Sequence, residues 1–208
     1  MNHGGFLCEI FLQKERKGCY TRNMPEYGKE RERLKNDELQ RTCCFTGHRP
    51  GHGGIRYLAG EAGYEALLDV LDRAIIEVCE QFGIRIFLCG MADGFDLVAG
   101  KRVLALKRTQ RIPKEVKIIA VQPFPEHIRT IGGMRWQQDY DEVLQCADDV
   151  CVVTNGFSIG SYHKRNAFMV QRSCCVIAFW NGARRSGSGQ TVRLAEKQNR
   201  MVINLYGI

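Results

Sequence analysis

Four short segments of the sequence combine glycine or hydroxyl residues with side-chain or backbone groups that can bind an anion. The first segment, TGHRP at residues 46–50, places a titratable ring and a fixed cation directly after a glycine. Arg49 offers paired N–H groups in a geometry that suits a phosphate or a carboxylate. The alternative is an ordinary surface turn whose arginine pairs with a local carboxylate. The candidate ligand-binding residues here are Thr46, Gly47, His48 and Arg49.

The second segment, GMADGFD at residues 90–96, lies at a predicted junction between a strand and a helix. It lacks the G-x-G-x-x-G spacing of the dinucleotide fingerprint, but backbone N–H groups at a helix start can bind an anion. Asp93 is expected to cap that helix. Asp96 is expected either to play a structural role there or to contact a ribose or a base. The candidate residues are Gly90, Met91, Ala92, Asp93, Gly94 and Asp96.

The third and fourth segments also fall where a predicted helix begins. Tyr162, Arg165 and Asn166 recur at helical spacing, so they line either a nucleotide pocket or an exposed polar helix face. In SGSGQT at residues 186–191, small residues and hydroxyls let a phosphate approach the helix, although a flexible linker is the alternative. No lysine stands where a Walker A loop requires one. The candidates in this loop are Gly187, Ser188, Gly189 and Thr191.

The elements that must position these segments alternate regularly from Thr42 onward. Short apolar runs rich in β-branched residues predict six strands, at residues 42–46, 84–89, 116–122, 149–154, 174–180 and 201–205. Segments of helical period predict five helices, at residues 61–82, 95–108, 134–146, 161–172 and 189–199. This alternation is typical of right-handed βαβ units. We therefore expect an α/β fold with a mostly parallel sheet and helices on both faces.

Glycines are concentrated where the predicted strands end, whereas only Gly83 precedes a strand. Ligands of open α/β sheets bind outside the carboxyl ends of the strands, and glycine permits close approach of a ligand. The asymmetry therefore indicates a ligand site at that edge, although turn chemistry alone can produce part of it. The glycines are Gly47, Gly51, Gly53, Gly54, Gly90, Gly94, Gly156, Gly160 and Gly182.

Composition excludes several classes of protein. The chain has 208 residues, of which 44% are hydrophobic, and 30 basic against 23 acidic residues give a net charge of +7. Neither a signal peptide nor an apolar run of about 18 residues is evident, so a secreted or membrane protein is not expected. The ten cysteines include no C-x-x-C pair. We expect reduced thiols in the core of a cytoplasmic protein and no metal site.

Residues 1–40 differ from the rest of the sequence. They are charged and show little apolar periodicity, which predicts a loosely held N-terminal extension, with Met24 as an alternative start. Residues 41–208 are expected to form a single domain.

Taken in order, the motifs resemble those of the YpsA-type family of the SLOG superfamily. The resemblance rests on TGHRP, GMADGFD, Gln122-Pro123 with Arg135-Trp136, Tyr162 with Arg165-Asn166, and SGSGQT, and it runs from about Thr42 to the C-terminus. It implies a Rossmann-like three-layer sandwich of about six strands, related to DprA and to LOG-type phosphoribohydrolases. It also implies a pocket for a nucleotide or a nucleotide-derived ligand, to which Gln122 contributes.

Three functions are compatible with this resemblance. LOG-type enzymes carry a G-G-x-G-T-x-x-E loop with a catalytic glutamate, whereas Arg193 and Leu194 stand at the corresponding place in this chain. A phosphoribohydrolase would therefore need another carboxylate, for which Asp96 is the candidate. We favour a cytosolic sensor that binds a nucleotide or an ADP-ribose-like molecule and requires no cofactor. A protein partner and a homodimer remain open, and Trp136, Tyr140 and Phe157 either stack a base or pack in the core.

The third function is binding of nucleic acid, as in DprA. A basic stretch of the sequence suggests nucleic-acid binding, because it contains seven basic residues and only one acidic residue, Glu115. The basic residues are Lys101, Arg102, Lys107, Arg108, Arg111, Lys114 and Lys117. Their loop enters a predicted strand, at the edge opposite the proposed pocket. A solvated helix face is the preferred interpretation, so nucleic acid is not the expected partner.

Overall fold

The computed structural model describes residues 36–51, 57 and 59–207. Of the N-terminal extension predicted over residues 1–40, only residues 36–40 are described, and they are helical. Met24, Gly53 and Gly54 lie outside the described residues.

Strands and helices alternate along the described chain, close to the predicted boundaries. The strands are β1 (Thr42–Gly47), β2 (Ile86–Cys89), β3 (Lys117–Gln122), β4 (Asp149–Val152), β5 (Cys175–Phe179) and β6 (Met201–Asn204). The helices are α1 (Ala62–Gln81), α2 (Phe95–Arg108), α3 (Met134–Cys146), α4 (Ser161–Gln171) and α5 (Gly187–Lys197). A 3₁₀ turn, His127–Thr130, lies between β3 and α3.

The six strands form one sheet in which every neighbouring pair is parallel, in the order β4-β3-β2-β1-β5-β6. The predicted α/β class is therefore confirmed. The chain builds outward from β1 to β4 and then returns to place β5 on the other side of β1. Strand order thus reverses between β1 and β5, and the loops that follow these strands flank the crevice where ligands of such sheets bind.

Helices cover both faces of the sheet, as predicted. The side chains of β1 alternate between the two faces: Cys43 and Phe45 pack with α1, α2 and α3, whereas Cys44 packs with α4 and α5. This alternation follows from the two-residue period of a strand. Because both faces of the sheet are buried, β2 and β5, which flank β1, contain only apolar residues and cysteine, which is typical of a parallel sheet.

The cysteines contribute to this packing. All eight cysteines in the described part of the chain are free thiols, and six of them are buried. Burial raises the pKa of Cys44 and of Cys89 to about 12, so these thiols stay protonated. Within the same residues, no helix is both long and apolar enough to cross a membrane.

Candidate ligand-binding site

The loop after β1 is held in place by backbone and ring contacts of His48. The carbonyl oxygen of His48 accepts hydrogen bonds from the Phe95 N–H at 3.2 Å and from the Tyr57 hydroxyl at 2.7 Å. Its ring Nε2 accepts the Asn181 N–H at 3.0 Å. His48 is therefore buried and joins the loops after β1 and β5 to the start of α2. One backbone N–H at the start of α2, that of Phe95, is therefore bonded within the protein.

Arg49, in contrast, reaches solvent and connects three of the four predicted segments. Its side chain is 46% exposed, and its Nε lies 3.5 Å from Asp93 Oδ1. Its Cζ lies 5.4 Å from the centroid of the Tyr162 ring. Asp93 does not cap α2 as predicted, because Gly94 is the N-cap and no side chain bonds there. Asp93 lies beside the guanidinium of Arg49 at the surface of the site.

Asp96 has a different environment from Asp93, although only three residues separate them. Its Oδ2 lies 3.0 Å from Arg165 Nη1, and both residues are more than nine-tenths buried. Burial raises the pKa of the Asp96 carboxyl, and the Arg165 guanidinium opposes that rise. A Cβ built on Gly90 would lie 1.5 Å from Arg165 Nη1. The absence of a side chain at Gly90 therefore makes room for the ion pair of Asp96 and Arg165.

The face of α4 predicted to line a pocket is divided between surface and core. Arg165 points inward, whereas Tyr162 and Asn166 are partly exposed. The Tyr162 hydroxyl donates to Thr130 Oγ1 at 3.2 Å. Gln122, the candidate on β3, is buried and its Nε2 donates to the Tyr140 hydroxyl at 2.8 Å. Tyr140 is fully buried, so of the two interpretations of this ring, packing is the one observed.

The loop after β5 forms an ordered cap on α5. Ser186 is the N-cap, and its Oγ accepts the Gly189 N–H at 3.0 Å. A Cβ on Gly189 would lie 2.9 Å from Nε1 of Trp180, whereas a Cβ on Gly187 would meet no atom within 4 Å. The helix therefore starts two residues earlier than predicted. Of the candidates in this loop, only Gly187 is exposed.

Sequence reasoning missed the loop after β3, which contains His127. The His127 ring is fully buried, and the rings of Phe124, Tyr140 and Tyr162 lie 5.6, 5.7 and 5.7 Å from it, centroid to centroid. Among the described residues, neither ring nitrogen has a hydrogen-bond partner. Burial, with Arg165 and Arg49, lowers the pKa of His127 to about 3, so the ring is neutral. The available signal was a histidine following a strand at the ligand edge.

Two groups of predicted residues are thus distinguished. Those at the surface or partly exposed are Gly47, Arg49, Asp93, Tyr162, Asn166 and Gly187. Those buried are Thr46, His48, Gly90, Met91, Ala92, Gly94, Asp96, Gln122, Arg165, Ser188, Gly189 and Thr191. Whether any of them binds a ligand stays a prediction. Within the described ranges, no group of three or more His, Cys, Asp or Glu side chains is placed to hold a metal ion.

The basic stretch of α2 is opposed by more carboxylates than its sequence indicates. Lys101 bonds Asp139 and Glu142 of α3, and Lys107 bonds Asp148. Arg102 forms a bidentate pair with Asp72 of α1. The neighbouring helices and the loop before β4 supply these acidic partners from distant parts of the chain, which the sequence of the stretch alone does not show.

The chain matches a known family over most of its length. Residues 43–205 match the model of the YpsA proteins, described as the YspA SLOG family. Two solved structures share the fold. DNA processing protein A from Helicobacter pylori, described as having a unique single-stranded DNA binding mode, superposes with a TM-score of 0.51 at 18% identity, covering 82% of this chain and 66% of that one. DprA from Streptococcus pneumoniae superposes with a TM-score of 0.50 at 17% identity, covering 80% of this chain and 50% of that one.

At these identities the two structures show a common fold alone. This chain spans just under two thirds of the Helicobacter protein and half of the Streptococcus protein. No curated protein matches the sequence. The family match, however, includes every strand except the first residue of β1, and all four candidate segments. The chain therefore belongs to the YspA SLOG family, the YpsA-type family that its motifs predicted.

Proposed function

We propose that the protein binds a nucleotide or a nucleotide-derived ligand at the carboxyl edge of the sheet, with Arg49 as the anion-binding group. The observation that carries this proposal is the position of Arg49, which is exposed yet lies between a carboxylate on the loop after β2 and an aromatic ring on α4. An arginine in such a place can bind a phosphate through charge-assisted hydrogen bonds.

The arrangement of carboxylates favours binding over hydrolysis. A phosphoribohydrolase needs a carboxylate beside the ribose, and Asp96 was the candidate for that role. Asp96 is buried and already paired with Arg165, so it supports the site from beneath. Asp93 is the carboxylate that faces the site, with a side chain that is 16% exposed. A hydrolase would therefore depend on Asp93, and Asp93→Asn tests that alternative.

The test is thermal unfolding of the purified chain with nucleoside mono- and diphosphates, ADP-ribose, NAD and a single-stranded oligonucleotide. A ligand at about 100 times its Kd adds about 2.7 kcal/mol, which at this size raises the Tm by about 5–10 °C. We expect Arg49→Ala to weaken binding by more than tenfold. Arg108→Ala is the matched control, because Arg108 is an exposed, ion-paired arginine at the opposite edge of the sheet.

Four outcomes are informative, three from this experiment and one from an assay of free-base release. No shift with any small molecule in the panel would contradict the proposal. A shift that Arg49→Ala leaves unchanged would remove Arg49 from the site. A shift with the oligonucleotide alone would favour nucleic acid, the ligand named for the Helicobacter structure. Release of free base, abolished by Asp93→Asn, would favour the hydrolase. Signalling through a protein partner stays a prediction.

A further inference from the structure

We infer that His127 is the residue that contacts the base of the ligand, through a hydrogen bond between one of its ring nitrogens and a matching group on the edge of a nucleobase. The inference rests on the proposed function, because it assigns the uncharged end of a ligand whose anionic end is bound by Arg49. It concerns the loop after β3, which none of the four predicted segments includes.

The first observation is the unsatisfied ring of His127. Both ring nitrogens lack a hydrogen-bond partner among the described residues, although the ring is fully buried. Buried polar groups of native proteins are nearly always bonded, so each exception requires an explanation. Rings on three sides, from Phe124, Tyr140 and Tyr162, restrict any rotation by which the imidazole could find a partner.

The second observation is the charge around the ring. Two guanidinium groups, those of Arg49 and Arg165, lie near enough to disfavour a charged imidazole. A neutral imidazole presents one N–H donor and one acceptor nitrogen. The two nitrogens point to opposite sides of the ring, so one ligand group reaches one of them. A phosphate supplies acceptors and can bond only the N–H, whereas a nucleobase edge carries donors and acceptors and can bond either nitrogen. The neutral ring therefore fits the base better than the phosphate.

The third observation is the composition of the walls. Aromatic rings bind bases by stacking on either face, irrespective of base identity. Phe124 packs edge-to-face against Phe157, with ring centroids 5.4 Å apart, and Phe157 is 68% exposed. A planar base that enters beside Phe157 would thus meet aromatic surface before it reaches His127.

Tyr162 connects this inner region to Arg49. Its ring lies 5.4 Å from the Arg49 guanidinium carbon and 5.7 Å from the His127 ring centroid. Of the three rings around His127 it is the only one that is partly exposed, so it separates the histidine from solvent. Its hydroxyl bonds Thr130 at 3.2 Å, at an exposed position. Rotation of this one side chain would give a base access to His127 while the phosphate stays at Arg49.

The experiment compares wild type with His127→Phe, which fills the aromatic surroundings and removes both unbonded nitrogens. The probes are the four nucleoside 5′-monophosphates and ribose 5-phosphate, which carries the anion without a base. We expect His127→Phe to raise the Tm of the free protein by at least about 2 °C, since an unsatisfied polar group is removed. We also expect it to weaken the best nucleotide by more than tenfold while ribose 5-phosphate binds as before.

Two further variants complete the design. His127→Gln keeps a donor and an acceptor and should retain part of the nucleotide affinity. His163→Phe is the matched control, because His163 is an exposed histidine on α4, and it should change neither the Tm nor the affinity.

Each result separates the two proposals. If neither these probes nor any small molecule of the wider panel stabilises wild type, the proposed function fails and this inference fails with it. If nucleotides bind through Arg49 but His127→Phe binds them equally well, only the inference is overturned. If His127→Phe lowers the Tm and weakens ribose 5-phosphate as much as the nucleotides, His127 has a general structural role and the inference is also overturned.

Discussion

The ion pair between Asp96 and Arg165 gives the sharpest prediction about stability. Asp96→Asn keeps the size of the side chain and removes its charge, which leaves the Arg165 guanidinium buried without a counter-charge. Both side chains are less than a tenth exposed, and the oxygen and nitrogen are 3.0 Å apart. Loss of one partner from such a pair costs about 3–5 kcal/mol. For a chain of this length, that lowers the Tm by about 6–20 °C.

Asp93→Asn is the matched control for Asp96→Asn. The same substitution three residues earlier removes a pair with Arg49, whose side chain is 46% exposed and whose Nε lies 3.5 Å away. Exposed pairs contribute about 0–1 kcal/mol, so the Tm should fall by no more than about 4 °C. The contrast between the two variants isolates burial as the cause, because the chemical change is identical.

The assay is urea unfolding followed by circular dichroism, with the free energy of unfolding compared at equal slope. A double variant, Asp96→Leu with Arg165→Met, should recover most of the lost stability, since apolar replacement of a whole buried pair is often neutral. The reasoning would be refuted if Asp96→Asn and Asp93→Asn were equally stable, or if the double variant were no more stable than Asp96→Asn.

The remaining predictions concern a glycine, a histidine and a lysine. Gly90→Ala should destabilise the protein by about 1–3 kcal/mol or more, because the added Cβ would clash with Arg165. Gly187→Ala is the control and should have little effect, because a Cβ there meets no atom within 4 Å. Equal melting temperatures of the two variants would contradict this prediction. The lowered pKa of His127 means that the unfolded chain binds more protons between its ordinary pKa of 6.5 and about 3. The folded state should therefore lose up to about 4–5 kcal/mol as pH falls through that range. Urea titrations across this pH range should show that His127→Phe does not lose this stability, and equal acid sensitivity of the variant and wild type would refute the prediction. The raised pKa of the buried carboxyls acts in the opposite direction, but it affects wild type and the variant alike. Finally, Lys107→Ala should bind a labelled single-stranded oligonucleotide no differently from wild type, because Lys107 already bonds Asp148. The measurement is fluorescence anisotropy at low and at high salt. A weaker signal for the variant, together with a steep fall of the wild-type signal with salt, would show that nucleic acid binds at this face.

Much of the fold could be predicted because its signals are local. The boundaries of α2 and α3 were predicted to the residue, since apolar periodicity and flanking glycines mark both helices. The start of α5 was predicted two residues late. Ser186 caps that helix through a bond to the Gly189 N–H, and serine and glycine in sequence were compatible with either a cap or a linker.

The roles of individual site residues could not be predicted in the same way. Asp93 and Asp96 are the same residue type and both lie near the start of α2, yet one pairs at the surface and the other in the core. Their difference comes from Arg165, which is 69 positions away from Asp96 in the sequence. The glycine-rich edge is similar, because the close approaches there are to the protein itself: to the Arg165 side chain at Gly90, and to the Ala183 carbonyl oxygen and the Trp180 side chain at Gly189.

By itself, the sequence determined the order of strands and helices, the parallel class of the sheet, the edge where the four segments meet, and the family. These follow from periodicity, from the handedness of βαβ units and from contiguous motifs. The tertiary structure alone decided the strand order that reverses between β1 and β5, the pairing of Asp96 with Arg165, and the burial of His127 among three aromatic rings. Burial and ion pairing depend on which distant elements pack together, and no local pattern of residues encodes that contact.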